Sequence, residues 1–240
     1  MPELSVADEA FAASWTIADS VPGWLTRDQA HALWQAVTRL GAGATVVEIG
    51  SHQGRSTVVL AGAARQVGAR VVAVDPFVEG RLFGGRATRS RFERTIESAG
   101  VSDVVELVPD YSTRLRPGWS RSVDLVYVDG KHDYWTCRDD MRWAEFLPAG
   151  GEIFVHDAFS SVGVTGAVAA HVLLGGRLRY RDRVASLARF DTCRATLGDR
   201  VAVARQLGWF ARNVVVKVLL RLRLRAATRL LGHRGPYDPY

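Results

Sequence analysis

The stretch Thr45-Val-Val-Glu-Ile-Gly-Ser-His-Gln-Gly-Arg-Ser-Thr57 decides how the rest of the chain is read. It opens on β-branched, apolar residues, halts at Gly50 and Gly54, and leads through Ser56 and Thr57 into the apolar, alanine-containing run Val58 to Ala64. That order is strand, glycine turn, helix. Glycines in such a turn let backbone N–H groups come close to a ligand, and the helix N-terminus beyond them favours polar or negative groups.

Four more apolar runs follow, at Arg70–Val74, Val104–Val108, Val123–Val128 and Glu152–Val155, each separated from the next by residues with helical spacing. Near-continuous apolar strands alternating with helices mean a parallel sheet covered on both faces. The expected fold is therefore α/β and Rossmann-like. Upstream, Thr26 caps a predicted helix from Arg27 to Leu40, while residues 1 to 25 read as irregular up to the turn at Pro22-Gly23. Downstream, Gly163 to Leu174 reads as a short helix, and the runs Leu178–Val184 and Ser186–Phe190 as a closing hairpin, which brings the sheet to seven strands.

Each of the five runs ends in a polar residue: Glu48 with Gly50, Asp75, Asp110, Asp129, and His156-Asp157. In open α/β sheets the ligand lies beyond the carboxyl ends of the strands. One such carboxylate is ordinarily a turn or cap residue, so the inference rests on the five together.

The chain has 240 residues, 48% of them hydrophobic and 23% charged, as expected of a globular protein with a sizeable core. The formal net charge of +6 is unevenly spread: residues 201–240 sum to +7 and the remainder to −1, so a nucleic-acid partner is not expected. Cys137 and Cys193 read as reduced thiols of a cytoplasmic protein, and the first residues lack the basic and apolar blocks of a signal peptide.

A dinucleotide loop would read G-x-G-x-x-G, whereas here Glu48 precedes Gly50 by two residues and Gly54 follows four later. A carboxylate so placed would repel a pyrophosphate and suits a ligand with positive charge and no phosphate. S-adenosylmethionine has that chemistry, and Asp75 at the end of the next strand is placed to accept its ribose hydroxyls. A glycine turn without a nucleotide is the plain alternative.

The run Val46 to Thr57, with Val71-Val-Ala-Val-Asp-Pro-Phe77, resembles the class I SAM-dependent methyltransferases. Val126-Tyr-Val-Asp-Gly-Lys-His-Asp-Tyr134 and Leu147-Pro-Ala-Gly-Gly-Glu-Ile-Phe-Val-His-Asp157 are similar to the branch that methylates sugar and macrolide-sugar hydroxyls with a divalent metal. The resemblance covers roughly residues 20 to 190. It implies a methyltransferase domain over residues 1–190 with a basic extension over 191–240, and a carbohydrate acceptor such as the 1-OH of a methylated mannoside. It also implies a cofactor-binding set of Glu48, Gly50, Gly54, Ser56, Thr57, Asp75, Asp110, Tyr111, Ser112 and Asp129. A metal, Mg²⁺ by the hardness of carboxylate oxygen, would be held by Asp129, His156 and Asp157. His156 stands where that branch often has a second carboxylate, and imidazole is a softer ligand. His132, three residues after Asp129, is the expected general base for the acceptor hydroxyl. A catechol- or phenol-type acceptor, and a silent SAM-fold adaptor working through the tail, are the other readings.

Tyr134 and Trp135 are candidates to stack on a sugar, or core residues, and Asp139 and Asp140 read as solvated or paired with Arg138 or Arg142. Phe77 to Arg91 reads as a mobile lid over the acceptor offering Arg81, Arg86 and Arg89, or as a plain solvated loop. In the tail, Trp209 to Leu231 carries six cations and no acid, too many charges for a transmembrane span. A basic helix on an anionic membrane surface and a subunit-packing helix, as in a homodimer, are both open. The alternation Leu220-Arg-Leu-Arg-Leu-Arg225 would also suit a strand.

Overall fold

In a computed structural model, which describes residues 6–79 and 85–233, seven strands form one sheet in the order β3-β2-β1-β4-β5-β7-β6. They are β1 (Thr45–Ile49), β2 (Arg70–Val74), β3 (Val105–Val108), β4 (Leu125–Val128), β5 (Glu152–Val155), β6 (Arg179–Val184) and β7 (Leu187–Asp191). The first five are parallel, and the β6–β7 hairpin closes one edge with β7 antiparallel to β5. The chain turns outward in both directions from β1, so the switch point lies between β1 and β4. That is where a crevice opens in this architecture.

Helices α1 (Val6–Ser20), α2 (Arg27–Thr38) and α3 (Arg55–Val67) cover one face of the sheet, with α4 (Gly85–Ser98) beside them. The short α6 (Tyr134–Asp140), α7 (Val162–Ala169) and the long α8 (Leu197–Arg221) serve the other face. Between β3 and β4 lies the single turn α5 (Ser112–Leu115), and α9 (Arg225–Leu230) follows α8. β1 shows how the sheet separates two cores: Val46 joins the first and Val47 and Ile49 the second, because successive side chains point to opposite faces.

Two expectations fail on local structure. Residues 6–20 are helical: α1 buries Phe11 and Ala18 and packs on α3, where Gly62 leaves room for it. A Cβ at Gly62 would lie 2.3 Å from Ser14 Oγ. The segment's acidic content hides an apolar stripe. The expected lid loop is helical from residue 85 on, because Thr88, Phe92 and Ile96 recur on one buried face of α4. Gly80–Gly84, including Arg81, lie outside the described residues.

The tail is helical to Arg221, and Arg223, at φ 61°, turns it into α9. The inner face of α8 buries Val203, Asn213 and Val216. Gly163–Leu174 is a helix whose second half, residues 170–175, widens into a π turn. No helix among the described residues is long and apolar enough to cross a membrane.

Candidate active site

At the switch point a cleft of about 820 Å³ is lined by Gly50–Gln53, Asp75–Val78, Tyr111–Thr113 and Asp129–His132, with Trp24, Ser56, Thr136 and Asp140. Its floor is the contact between the ends of β1 and β4. Asp129 N donates to Ile49 O at 2.8 Å and Gly50 N to Val74 O at 2.8 Å. Gly50 has φ 92°, and a Cβ there would lie 2.2 Å from Asp129 O. No side chain fits, which is why the strand ends in glycine. Gly54, at φ 93°, forms the N-cap of α3.

The loop is braced from beneath by Glu48. Alternation puts this residue on the same face as Val46, under the start of α3, where its carboxylate accepts from Ser56 Oγ and from Thr57 Oγ1 at 2.5 Å. Burial pushes its pKa up to about 7 against the two hydroxyl donors. Glu48 and Thr57, expected at the ligand, are thus turned under the loop and do not line the cleft. Asp75 does: its two oxygens accept from the backbone N–H groups of His52 and Phe77, both at 2.8 Å, so the carboxylate edge is fixed at the rim. Asp110 stays outside, accepting from Tyr111 N and pairing with Arg114, whereas Tyr111 and Ser112 line the wall.

At the other end four side chains meet. His132 Nε2 lies 3.7 Å from Asp129 Oδ1, and its Nδ1 lies 3.3 Å from Asp157 Oδ2. His156 Nδ1 lies 3.3 Å from Asp129 Oδ1 and 3.6 Å from Asp157 Oδ1. Tyr127 donates to the other Asp129 oxygen at 3.0 Å. Burial opposes charge on both Asp129 and His156, yet their attraction wins. Asp129 is held well below the usual carboxylate range, and the two carboxylates raise His156 to about 9. His132 also sits above its ordinary value, chiefly through Asp129. Asp157 takes the left-handed region, at φ 55°, an uncommon conformation for its residue type that is often tied to function.

Of the proposed ligand set, Asp129, His156 and Asp157 do come together. However, among the described residues no group of three His, Cys, Asp or Glu side chains is arranged to hold a metal ion. His156 is buried, reaches Gln29 Oε1 at 3.4 Å through Nε2, and places its Nδ1 3.3 Å from Asp129 and 3.6 Å from Asp157. Gln29 in turn bonds Ser186 Oγ at 3.1 Å, tying β5, α2 and the hairpin into one buried polar chain.

Three cleft residues escaped the sequence reading. Trp24, 61% exposed, stands at the mouth with its ring 6.4 Å from that of His52. His52, at φ 46°, lines the cleft, and burial lowers its pKa. Asp140 is buried, accepts from Ser112 Oγ and is pushed up to about 7 by burial, with its Oδ2 unpartnered. Its neighbour Asp139 pairs with Arg116 at 2.8 Å and with Arg142, as the expected surface role requires. The Trp24 wall is set by Arg55 at the start of α3. Its guanidinium donates to the carbonyls of Ala18, Asp19, Val21 and Leu25 and pairs with Asp19 at 2.8 Å. Arg89 pairs with Glu93 at 2.9 Å and exposed Arg86 lies 4.0 Å from Glu79, while Tyr134 and Trp135 meet edge to face outside the cleft lining.

Residues 47–158 match the family model described as a methyltransferase domain. The chain has the Rossmann-like fold of the SAM-dependent methyltransferases. Similar solved structures include an O-methyltransferase from Bacillus cereus in complex with SAH (TM-score 0.56, 19% identity, 80% of this chain and 93% of that one). Another is the O-methyltransferase TomG from Streptomyces achromogenes, involved in tomaymycin synthesis and in complex with SAM (0.56, 20%, 78% and 90%). A third is the SAH-bound methyltransferase PaMTH1 from Podospora anserina (0.60, 15%, 77% and 88%).

Proposed function

We propose that this chain is an S-adenosylmethionine-dependent O-methyltransferase acting on a carbohydrate hydroxyl, such as the 1-OH of a methylated mannoside, with His132 as general base. One observation carries the reading. A half-exposed histidine paired to two carboxylates stands in the same cleft as a glycine-floored loop, a fixed ribose-type carboxylate and a rim tryptophan. The similar B. cereus and S. achromogenes structures, both O-methyltransferases holding this cofactor or its product, support the reaction class. Trp24 gives a sugar an apolar face to stack on, and His52, Gln53 and Lys131 give its hydroxyls partners.

S-adenosylmethionine would supply a methyl group activated by the positive sulfur. Asp75 would accept from the ribose hydroxyls, Tyr111 and Ser112 would flank the adenine, and Asp129 would face the positive end of the cofactor. When bound, the cofactor would give its methyl group to the acceptor oxygen and leave as the neutral sulfide. The hydroxyl proton passes to His132 Nε2. Asp129 and Asp157 hold the ring and stabilise the imidazolium that results, as the distances of 3.7 and 3.3 Å allow. The residues fit a metal poorly, since among the described residues no three His, Cys, Asp or Glu side chains are arranged to hold one and His156 Nδ1 stands 3.3 and 3.6 Å from the carboxylates that would ligate it. No step is routed through one.

The test is methyl transfer from labelled S-adenosylmethionine to a panel of mannosides, other glycosides and catechols, with and without EDTA. Turnover of a glycoside that EDTA leaves intact agrees with the proposal. Preference for a catechol would replace the acceptor. Loss with EDTA and recovery with Mg²⁺ would restore Asp129, His156 and Asp157 as ligands. No turnover on any acceptor, with SAH still bound, would favour the adaptor reading.

A further inference from the structure

Among the described residues no element covers the outer face of α8. Val201, Ala204, Ala211, Val215, Val218 and Leu222 recur every three, four or seven residues and are all exposed, with Leu222 62% exposed. Such spacing lays one apolar stripe along a helix about 37 Å long. The turn at Arg223 then adds exposed Leu224 and Leu230, the latter 89% exposed. Residues 200–233 hold eight arginines and lysines and no acid. Arg221, Arg223, Arg225 and Arg229 are exposed and form no ion pair among the described residues.

Charge selects the occupant. A second copy of this chain would bring the same cationic borders against each other, since a two-fold interface pairs a surface with itself. An anionic lipid surface meets both features: the stripe enters the boundary between headgroups and acyl chains, and the arginines meet phosphates. We propose that α8 and α9 dock this protein on anionic bilayers, lying in the interface plane. Helix α8 keeps its other face on the protein, where Asn213 Nδ2 bonds Phe159 O at 3.2 Å and Lys217 Nζ bonds Ser160 O at 3.0 Å. Docking therefore needs no unfolding of the tail. The proposal stands independently of the acceptor assigned above.

The experiment is co-sedimentation of the full chain with phosphatidylcholine vesicles containing roughly one-third phosphatidylglycerol, against phosphatidylcholine alone. Partitioning should be at least about tenfold stronger on the anionic vesicles and should weaken as salt rises. Val215→Ser/Val218→Ser/Leu222→Ser should cut it by about tenfold or more. Arg221→Ser/Arg223→Ser/Arg225→Ser, on side chains without ion pairs, should cut it comparably and gives a fold-safe second arm, with melting temperature as the check. Absence of binding, equal binding to neutral vesicles, or binding indifferent to the arginine set would overturn the proposal. So would light scattering showing a dimer that Val218→Asp dissociates.

Discussion

Glu48→Gln tests the reading of the glycine loop at its foundation. The carboxyl is fully buried beneath α3, and its pKa is raised from an ordinary 4.5 to about 7 because burial outweighs two hydroxyl donors. A carboxyl raised on folding binds its proton more tightly in the folded state. Its contribution to stability is complete below pH 4.5, falls between 4.5 and about 7, and is gone above. Integrated from pH 5 to pH 8, the loss from this group is on the order of 2–3 kcal/mol. Glutamine keeps the shape and an acceptor oxygen but does not titrate, and rotatable hydroxyls at Ser56 and Thr57 can accept from its amide. The variant should therefore gain on the order of 2–3 kcal/mol relative to the parent on going from pH 5 to pH 8. Urea unfolding of both proteins at the two pH values gives this double difference, in which the other titrating groups cancel. A difference between variant and parent that does not change with pH would refute it. Glu48 would then be ionised in place, and its role as a ligand-facing carboxylate would return.

Other outcomes follow from the cleft. His132→Ala should lower kcat about 10²- to 10⁴-fold with SAH affinity, read by calorimetry, unchanged. In the parent, kcat should rise with pH through a value above 6.5, since His132 is raised by Asp129 and only its neutral form accepts a proton. A profile flat across that range would remove His132 as base. Asp75→Ala should weaken SAH binding about tenfold or more, because each hydrogen bond to a charged group contributes roughly 1.5–3 kcal/mol; intact affinity would misplace the ribose. Gly50→Ala should both lower the melting temperature and abolish SAH binding, given a Cβ 2.2 Å from Asp129 O at φ 92°.

The sheet was legible because its pattern is local. β1, β2 and β5 have the expected ends, and β3 and β4 start one and two residues late. Val123 and Asp124 precede the β4 ladder, Asp124 spending its carboxylate on Thr45 N at 2.8 Å. His132, Asp129 and Asp75 were legible for the same reason, as strand ends converge in this topology. What sequence could not show is where a side chain goes when elements far apart in the chain compete for it. Glu48 reads as a ligand contact until the hydroxyls of α3 claim it. His156 reads as a softer metal ligand until two carboxylates surround it. Asp140 reads as surface until Ser112, 28 residues upstream, covers one oxygen. Trp24 lies in a stretch of little regular structure, and only Arg55 bonding four carbonyls carries it to the mouth.

Ser160 N and Ser161 N donate to Asp157 O at 3.1 and 3.0 Å, and the turn so formed is also held by residues more than fifty positions away. Asp157 and Phe159 take left-handed conformations, and the carbonyls of Phe159 and Ser160 accept from Asn213 Nδ2 and Lys217 Nζ of α8. A fragment cut after β7 would keep His132 and its carboxylates. It would also strip the splint from the turn that aims one of them. Such a fragment should still recognise cofactor through β1 and β2 while catalysing poorly, so loss of activity on shortening the tail is no evidence that the tail touches substrate.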